Sequence, residues 1–388
     1  MAEVRVLHCL HSLSWGGLEI YTVDLIKQLA QTGITQYVFS QEDSKATQEL
    51  RRHGIEVLPF PEKKLSKLQA TWRILQLVKS HRITHIHSHT RLDMWAGCFV
   101  RGLCKSSLRH IYSLYMNATP KRDLFHKWLF SHIDALCASS EDLLQEVQRN
   151  FPIAREKLHL VRYGRPLEAL QPGLFPSKAQ GLRQHYKVTN TQTVFGTLCR
   201  IDPGKGVREL VESLTHLSDS ELAQTQLWIV GDPTLIGSNS EGQPLFEPAS
   251  KELNDWIAQQ QAHPRHGPHL HRIPFQKDYI PYLEALDVFV LASYKETYSL
   301  SVLDAMLMEK PVIGTNTGGT PEQIGSQQER GRTVPPHNAV ALSEALRFYL
   351  THPGQIPLQG QQARQWVLTH HSWSAPLAQF KKLYYTEE

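Results

Sequence analysis

The stretch 287-DVFVLASYKETYSLSVLDAMLMEKPVIGTNTGGTPEQI-324 sets two short apolar runs on either side of a helical one. DVFVLAS (287–293) and PVIGT (311–315) are rich in β-branched residues and read as buried strands. The second ends at Gly318-Gly319-Thr320, and Pro321 with Glu322 makes a good first helical turn. Two acids, Glu296 and Asp304, stand eight positions apart between the strands. Ser301-x-x-Asp304 fits the capping-box pattern, so by spacing alone Asp304 is as well explained as a helix cap as by a site.

The same alternation runs outward in both directions. VRVLHCL (4–10) precedes a helical pattern at 18–30, VLPF (57–60) precedes 66–80, and THIHS (84–88) precedes 92–103. HIYSL (110–114), DALCAS (134–139) and KLHLV (157–161) continue the series. The segment 166–182 holds three prolines and little periodicity and reads as a linker. Beyond it come TVFGTL (193–198), QLWIVGD (226–232) and a strand in HLHRIPF (269–275). Strand–helix alternation in both halves predicts an α/β protein with two doubly wound, Rossmann-like domains facing a cleft. The domains expected are 1–170 and 185–357, with a helical segment 358–388 packing back on the first. Ligands of such sheets bind beyond the carboxyl ends of the strands.

A chain of 388 residues with 41% hydrophobic and 20% charged residues suits two globular cores. The net charge of +4 is too weak to argue for nucleic acid, yet it is compatible with anionic substrates or an anionic membrane surface. Cys9, Cys98, Cys104, Cys137 and Cys199 are scattered, without a C-x-x-C pair, so no disulfide framework or zinc site is read and a reducing, cytoplasmic compartment is expected. The N-terminus is too polar and short for a signal peptide, and no apolar run has membrane-spanning length.

Two further loops follow strands. In 199-CRIDPGKGVREL-210, Arg200 leaves the strand end and Gly204 and Gly206 bracket Lys205 before a helix. A glycine loop lets backbone approach an anion, a helix N-terminus offers free N–H groups, and the two bases supply charge. It matches neither a Walker A loop nor GxGxxG, and a solvated turn explains it as well. In 11-HSLSWGGLEIYTVDL-25, Gly16 and Gly17 precede a helix, which is either anion-binding geometry or an ordinary βα turn. Together the three loops weigh more than any one, because the fold sets all of them at strand carboxyl ends.

In combination these residues resemble the GT-B glycosyltransferases of family 4, which are retaining, nucleotide-sugar-dependent enzymes. The resemblance rests on Gly16-Gly17 with Glu19, on Arg200 and Lys205 after the first strand of the second half, and on Glu296, Asp304, Ala305, Met306, Pro311, Val312, Gly318, Gly319, Pro321 and Glu322. It covers nearly the whole chain, and its second-half motifs are the specific ones. It implies that Arg200 and Lys205 hold the donor diphosphate, that Glu296 lies against the donor sugar, and that Asp304 takes the place of a glutamate at the ribose hydroxyls. Backbone near Gly318, Gly319 and Thr320 would meet phosphates and sugar, and Phe275 would border the base. Arg, Lys and helix N-termini would supply the positive charge without a metal or other cofactor, and no Asp-x-Asp site is seen. The implied partners are a UDP- or GDP-linked hexose donor and a saccharide or lipid-linked acceptor, as in lipopolysaccharide or other envelope polysaccharide synthesis at the cytoplasmic face of the inner membrane. A catalytically weakened nucleotide-sugar-binding protein is the alternative.

Departures from the family pattern are the shorter acid at Asp304, Tyr115 where a histidine is usual, and Tyr163-Gly164 for Asn-Gly. Tyr115 or Asn117 would substitute on the acceptor side. The segment 233–248 is an insertion that either covers the donor site or decorates the surface. His85, His87 and His89 alternate and share one face of a strand, and the resemblance sets His87 or His89 toward the acceptor; no carboxylate or cysteine spacing completes a metal cluster. Two segments, 62–79 and 120–130, mix bases with aromatics. Each reads first as an amphipathic helix with Trp72 or Trp128 in the core, and second as a docking face for anionic lipid.

Overall fold

The computed structural model describes residues 3–61, 65–104, 108–238 and 243–385. The chain divides into two compact units, Met1–Gly164 with His371–Glu388, and Arg165–His370. In the first unit the strands are β1 (Arg5–Leu10), β2 (Thr35–Gln41), β3 (Val57–Phe60), β4 (His85–Ser88), β5 (Arg109–Leu114), β6 (Ala135–Ala138) and β7 (Leu158–Leu160). They form a seven-stranded sheet in the order β3-β2-β1-β4-β5-β6-β7, parallel throughout.

The second unit carries β8 (Thr193–Leu198), β9 (Thr225–Val230), β10 (Leu235–Ser238), β11 (Pro244–Phe246), β12 (Leu270–Ile273), β13 (Val288–Leu291), β14 (Val312–Thr315) and β15 (Gly331–Val334). Six of these make a parallel sheet in the order β12-β9-β8-β13-β14-β15. Strands such as TQLWIV and VFVL are buried along their whole length, as strands covered on both faces must be. The chain moves outward from β8 to β9 on one side and from β13 to β14 on the other. The loops after β8 and β13 therefore diverge and leave a crevice at a topological switch point.

Four sequence expectations change. Strands β2 and β15 were not anticipated, because TQYVFSQ carries polar residues on its inner face and GRTV is short and begins with glycine. The expected linker contains a helix, Pro176–His185, with proline at its first turn, and this helix belongs to the second unit. Glu284 holds it there by accepting the Gly173 and Phe175 backbone N–H groups at 3.0 and 2.8 Å. The last segment is two helices: Gln355–His370 lies in the second unit, and Ser374–Tyr385 packs in the first, its Phe380 and Tyr384 buried against the sheet. Within the expected insertion 233–248, β10 pairs antiparallel with β11, and residues 239–242 lie outside the described part.

In the basic segments, Glu62, Lys63 and Lys64 lie outside the described residues. Trp72 and Trp128 are exposed rather than in the core, because Ala70, Ile74 and Val78 fill the inner face of one helix and Leu129 and Phe130 that of the other. Among the described residues no helix is long and apolar enough to cross a membrane.

Candidate active site

Three loops of the second unit meet at the switch point. After β8, Asp202 accepts the Gly204 N–H at 2.9 Å and fixes a tight turn, Pro203–Lys205. Gly206 closes it at φ +62°, and a Cβ there would stand 2.0 Å from the Ala292 carbonyl oxygen of the loop after β13. The Tyr294 N–H donates to the Gly204 carbonyl at 3.0 Å. From the other side, Gly318 at φ +59° lies so close that a Cβ would stand 1.9 Å from the Glu296 carbonyl oxygen, and the Gly319 N–H donates to that carbonyl at 2.9 Å. Thr315 and Thr317 hydroxyls donate to the Ser293 and Tyr294 carbonyls at 2.6 and 2.9 Å. The glycines are required by the close approach of one backbone to the next, which leaves the loop after β13 held between the other two.

This arrangement brings Lys205 to Glu296, and the ammonium donates to Oε1 of the carboxylate. Burial is the largest single influence on the Lys205 ammonium and pulls it down, but the charge and hydrogen bond of Glu296, with Cys199 adding to them, together hold Lys205 above the usual lysine range. Arg200 projects into solvent at the end of β8, without a hydrogen bond or ion pair among the described residues, and its charge acts against that of Lys205. Two cations that repel one another thus stand past the end of β8, Lys205 paired with Glu296 and Arg200 exposed, while the Asp202 carboxylate is engaged by the turn itself. Thr320, at the start of the helix Thr320–Ile324, is buried, and its hydroxyl has no partner among the described residues. Phe275 presents an exposed ring two residues beyond β12.

Asp304 is not a cap. The helix Leu300–Leu307 starts at Ser299, whose hydroxyl accepts the Val302 N–H, so Asp304 lies beyond the first turn and cannot reach a free N-terminal N–H. It is buried and ion-paired with Arg165 at 2.7 Å, and it also accepts the Tyr279 hydroxyl at 3.0 Å. The sequence reading missed both partners. Arg165 sits 139 positions away, and no local pattern marks it.

The remaining predicted residues belong to the first unit. Gly16 caps the helix Gly17–Ala30, and its N–H donates to Glu19 at 2.9 Å while Ser12 donates to the other oxygen of the same carboxylate. His87 and His89, expected at the acceptor side, are fully buried. His87 bonds to Tyr384 at 2.7 Å and Ser113 at 2.8 Å, beneath the C-terminal helix, so it offers no ring nitrogen to a ligand. His89 bonds to Tyr115 and to His8, each at 3.0 Å, and His8 bonds to Gln36 at 2.9 Å. Because the Gln36 amide donates to the Ile26 carbonyl, its oxygen faces His8 and accepts from it. That fixes the tautomers along the row: Tyr115 donates to His89, His89 to His8, and His8 to Gln36. Burial pushes His8 down to about 3 and His89 well below the usual histidine range, so both are neutral. One ring nitrogen from each of His8, His87 and His89 lies within 4.8 Å of the others, the spacing of a cation site. All six ring nitrogens are already hydrogen-bonded, however, and the cluster reads as a satisfied polar network. Asn117 is half-buried, its side-chain oxygen without a partner among the described residues.

Comparison with known proteins bears on the family and the fold. Residues 180–366 match the model for glycosyl transferases group 1, and residues 15–169 match that for Glycosyltransferase Family 4. A D-inositol 3-phosphate glycosyltransferase from Corynebacterium glutamicum is 23% identical over 95% of this chain and 91% of its own length. A glycosyltransferase from Rickettsia africae superposes with a TM-score of 0.83 at 20% identity, covering 99% of this chain and 98% of that one. Anabaena HepE in complex with UDP-glucose superposes with a TM-score of 0.80 at 19% identity, covering 98% of each chain. With two parallel α/β units, the paired Lys205 and Glu296 at the switch point and family models over both halves, this chain belongs to the GT-B glycosyltransferases of family 4.

Proposed function

We propose that the protein is a retaining, metal-independent hexosyltransferase that takes its sugar from a UDP- or GDP-linked donor bound by the second unit. The observation that carries this reading is the Lys205–Glu296 pair, locked between two glycine loops with Arg200 beside it. Negative charge develops on the departing diphosphate, and cations fixed at that point lower the barrier without a metal. Arg200 and Lys205 would take that charge. Glu296 orients the Lys205 ammonium and lies against the donor sugar, and N–H groups at Gly318–Thr320 receive phosphate or sugar oxygens. Phe275 borders the base, and Asp304 meets the ribose. Displacement on one face of the sugar needs no covalent nucleophile, and none is assigned. UDP-glucose in the HepE complex supports a nucleotide-sugar donor for this chain too.

The acceptor is a saccharide or a lipid-linked saccharide of envelope or lipopolysaccharide synthesis, taken up by the first unit near Tyr115 and Asn117, while Gly16 and Gly17 are kept for an anion or sugar-phosphate group of the donor. Work at the cytoplasmic face of an anionic membrane is supported by one surface of that unit. Exposed Leu68, Trp72, Leu124 and Trp128 stand there among Lys67, Arg73, Lys121, Arg122 and Lys127, and Lys67 lies 3.4 Å from the centre of the Trp95 ring. Each base near an anionic surface is worth about 1 kcal/mol. The D-inositol 3-phosphate glycosyltransferase relative from Corynebacterium sets an inositol phosphate beside these as an acceptor class to test.

Asp304 supports a second reading, a nucleotide-sugar-binding protein with weak turnover, because its carboxylate is already engaged by Arg165 and Tyr279. Release of nucleoside diphosphate from UDP-, GDP- and ADP-sugars separates the two. Turnover that falls about 10²–10³-fold in Arg200→Ala is the expected result. Turnover indifferent to that change sinks the catalytic assignment, and binding without turnover favours the second reading.

A further inference from the structure

Asp304 does not meet the solvent as a free acid. Arg165 reaches its Oδ1 twice, through Nε and through Nη2, each at 2.7 Å. The Tyr279 hydroxyl donates to Oδ2 at 3.0 Å. The Arg165 and Asp304 side chains are only 4% and 7% exposed, so these contacts are held in a desolvated setting. The three residues come from separate places in the second unit. Arg165 opens the unit, Tyr279 lies between β12 and the helix Ile280–Ala285, and Asp304 is on the helix after β13. A carboxylate has about four lone-pair sites, two on each oxygen. Arg165 fills both sites on Oδ1, and Tyr279 fills one on Oδ2. A single acceptor site remains.

The geometry points to an acid that can receive one ribose hydroxyl and not the vicinal pair, with Arg165 and Tyr279 setting that limit. The inference rests on the reading that the donor's ribose lies at Asp304, and it adds a specificity that neither acid position nor acid type supplies. Tyr279 is a specificity-determining residue, because its hydroxyl competes directly with the nucleotide for Oδ2. Arg165 is a positioning residue, because its two bonds to Oδ1 leave Oδ2 as the oxygen with a site to spare. A protein with this device distinguishes the two ribose hydroxyls sharply from each other, where an unencumbered acid would use both.

Calorimetric titration of the full chain with UDP, 2′-deoxy-UDP and 3′-deoxy-UDP tests this, with GDP or ADP and the same analogues where one of those binds tighter. One deoxy analogue should bind within about twofold of the parent, and the other about tenfold or more weakly, the cost of one hydrogen bond to a charged group. Tyr279→Phe keeps the ring and frees a second site on Oδ2, so both analogues should then lose about tenfold. Arg165→Lys keeps the charge and gives up one of the two contacts on Oδ1, and it should move discrimination in the same direction. Losses that are equal for the two hydroxyls in the unaltered protein, or absent for both, overturn the inference while leaving the donor site standing. An unchanged pattern in Tyr279→Phe overturns it as well. Binding by none of UDP, GDP and ADP overturns the donor reading together with it.

Discussion

Lys205 and Glu296 depend on each other. Burial pulls the ammonium down most strongly, and the charge and hydrogen bond of Glu296 supply most of what raises it in spite of that. In Glu296→Gln that counter-charge is gone, and burial and Arg200 both press toward the neutral amine. The alkaline limb of the pH dependence of diphosphate release should then move to lower pH, with turnover reduced at every pH. An unmoved limb would show that Lys205 does not need its partner. Gly318 is constrained differently. A Cβ at φ +59° would be strained by itself and would also strike the Glu296 carbonyl oxygen. Gly318→Ala should therefore cost at least about 2 kcal/mol, visible as a fall of several degrees in Tm, and should lower turnover by displacing Glu296. Position just past a recognisable strand made these residues candidates, and the family resemblance gave them their roles. Spacing alone left Asp304 open between a cap and a site because Ser301-x-x-Asp304 mimics a capping box, while the true cap, Ser299, is two residues before Ser301.

At the scale of elements, β1 and β4 carry a row of imidazoles through a core that would ordinarily be apolar. His8 and His87 stand side by side in register, and His89 follows at the strand end. Their alternation was legible in THIHSHT, but their destination was not, because Gln36 on β2 and Tyr384 on the last helix complete the network from far along the chain. For the same reason β2 escaped notice: its polar Gln36 faces inward to meet His8. A histidine held neutral in the fold and free to protonate when unfolded stabilises the protein fully above the unfolded value near 6.5. That stability is lost as pH falls from there toward the folded value, which is about 3 for His8 and about 4 for His85 and His110. One such group should cost about 2 kcal/mol between pH 6.5 and pH 5. Thermal melts across that range should show Tm falling steeply, with a shallower fall in His8→Asn. A Tm flat from pH 7 to pH 5 would mean that the row is solvated or already charged.

For the whole molecule, the α/β class was written in the alternation of short apolar runs, and a division into two units in its interruption at 166–182. The division itself falls at Gly164 and again at His370, so the chain returns to complete the first unit with Ser374–Tyr385. The sequence led to the expectation that 358–388 packs back on the first unit as one segment, but only the part from His371 on belongs there, where Tyr384 meets His87. If the exposed aromatic and basic surface of the first unit meets anionic lipid, Trp72→Ser with Trp128→Ser should reduce co-sedimentation with phosphatidylglycerol-containing vesicles and leave diphosphate release from a soluble donor near its original rate. The central claim, however, concerns the second unit: three loops at one switch point make one donor site. Hydrogen exchange with and without the tightest-binding nucleoside diphosphate measures that directly. Protection should appear together at 200–207, 294–299 and 317–322, and protection confined to the first unit, or to none of these loops, would contradict the account.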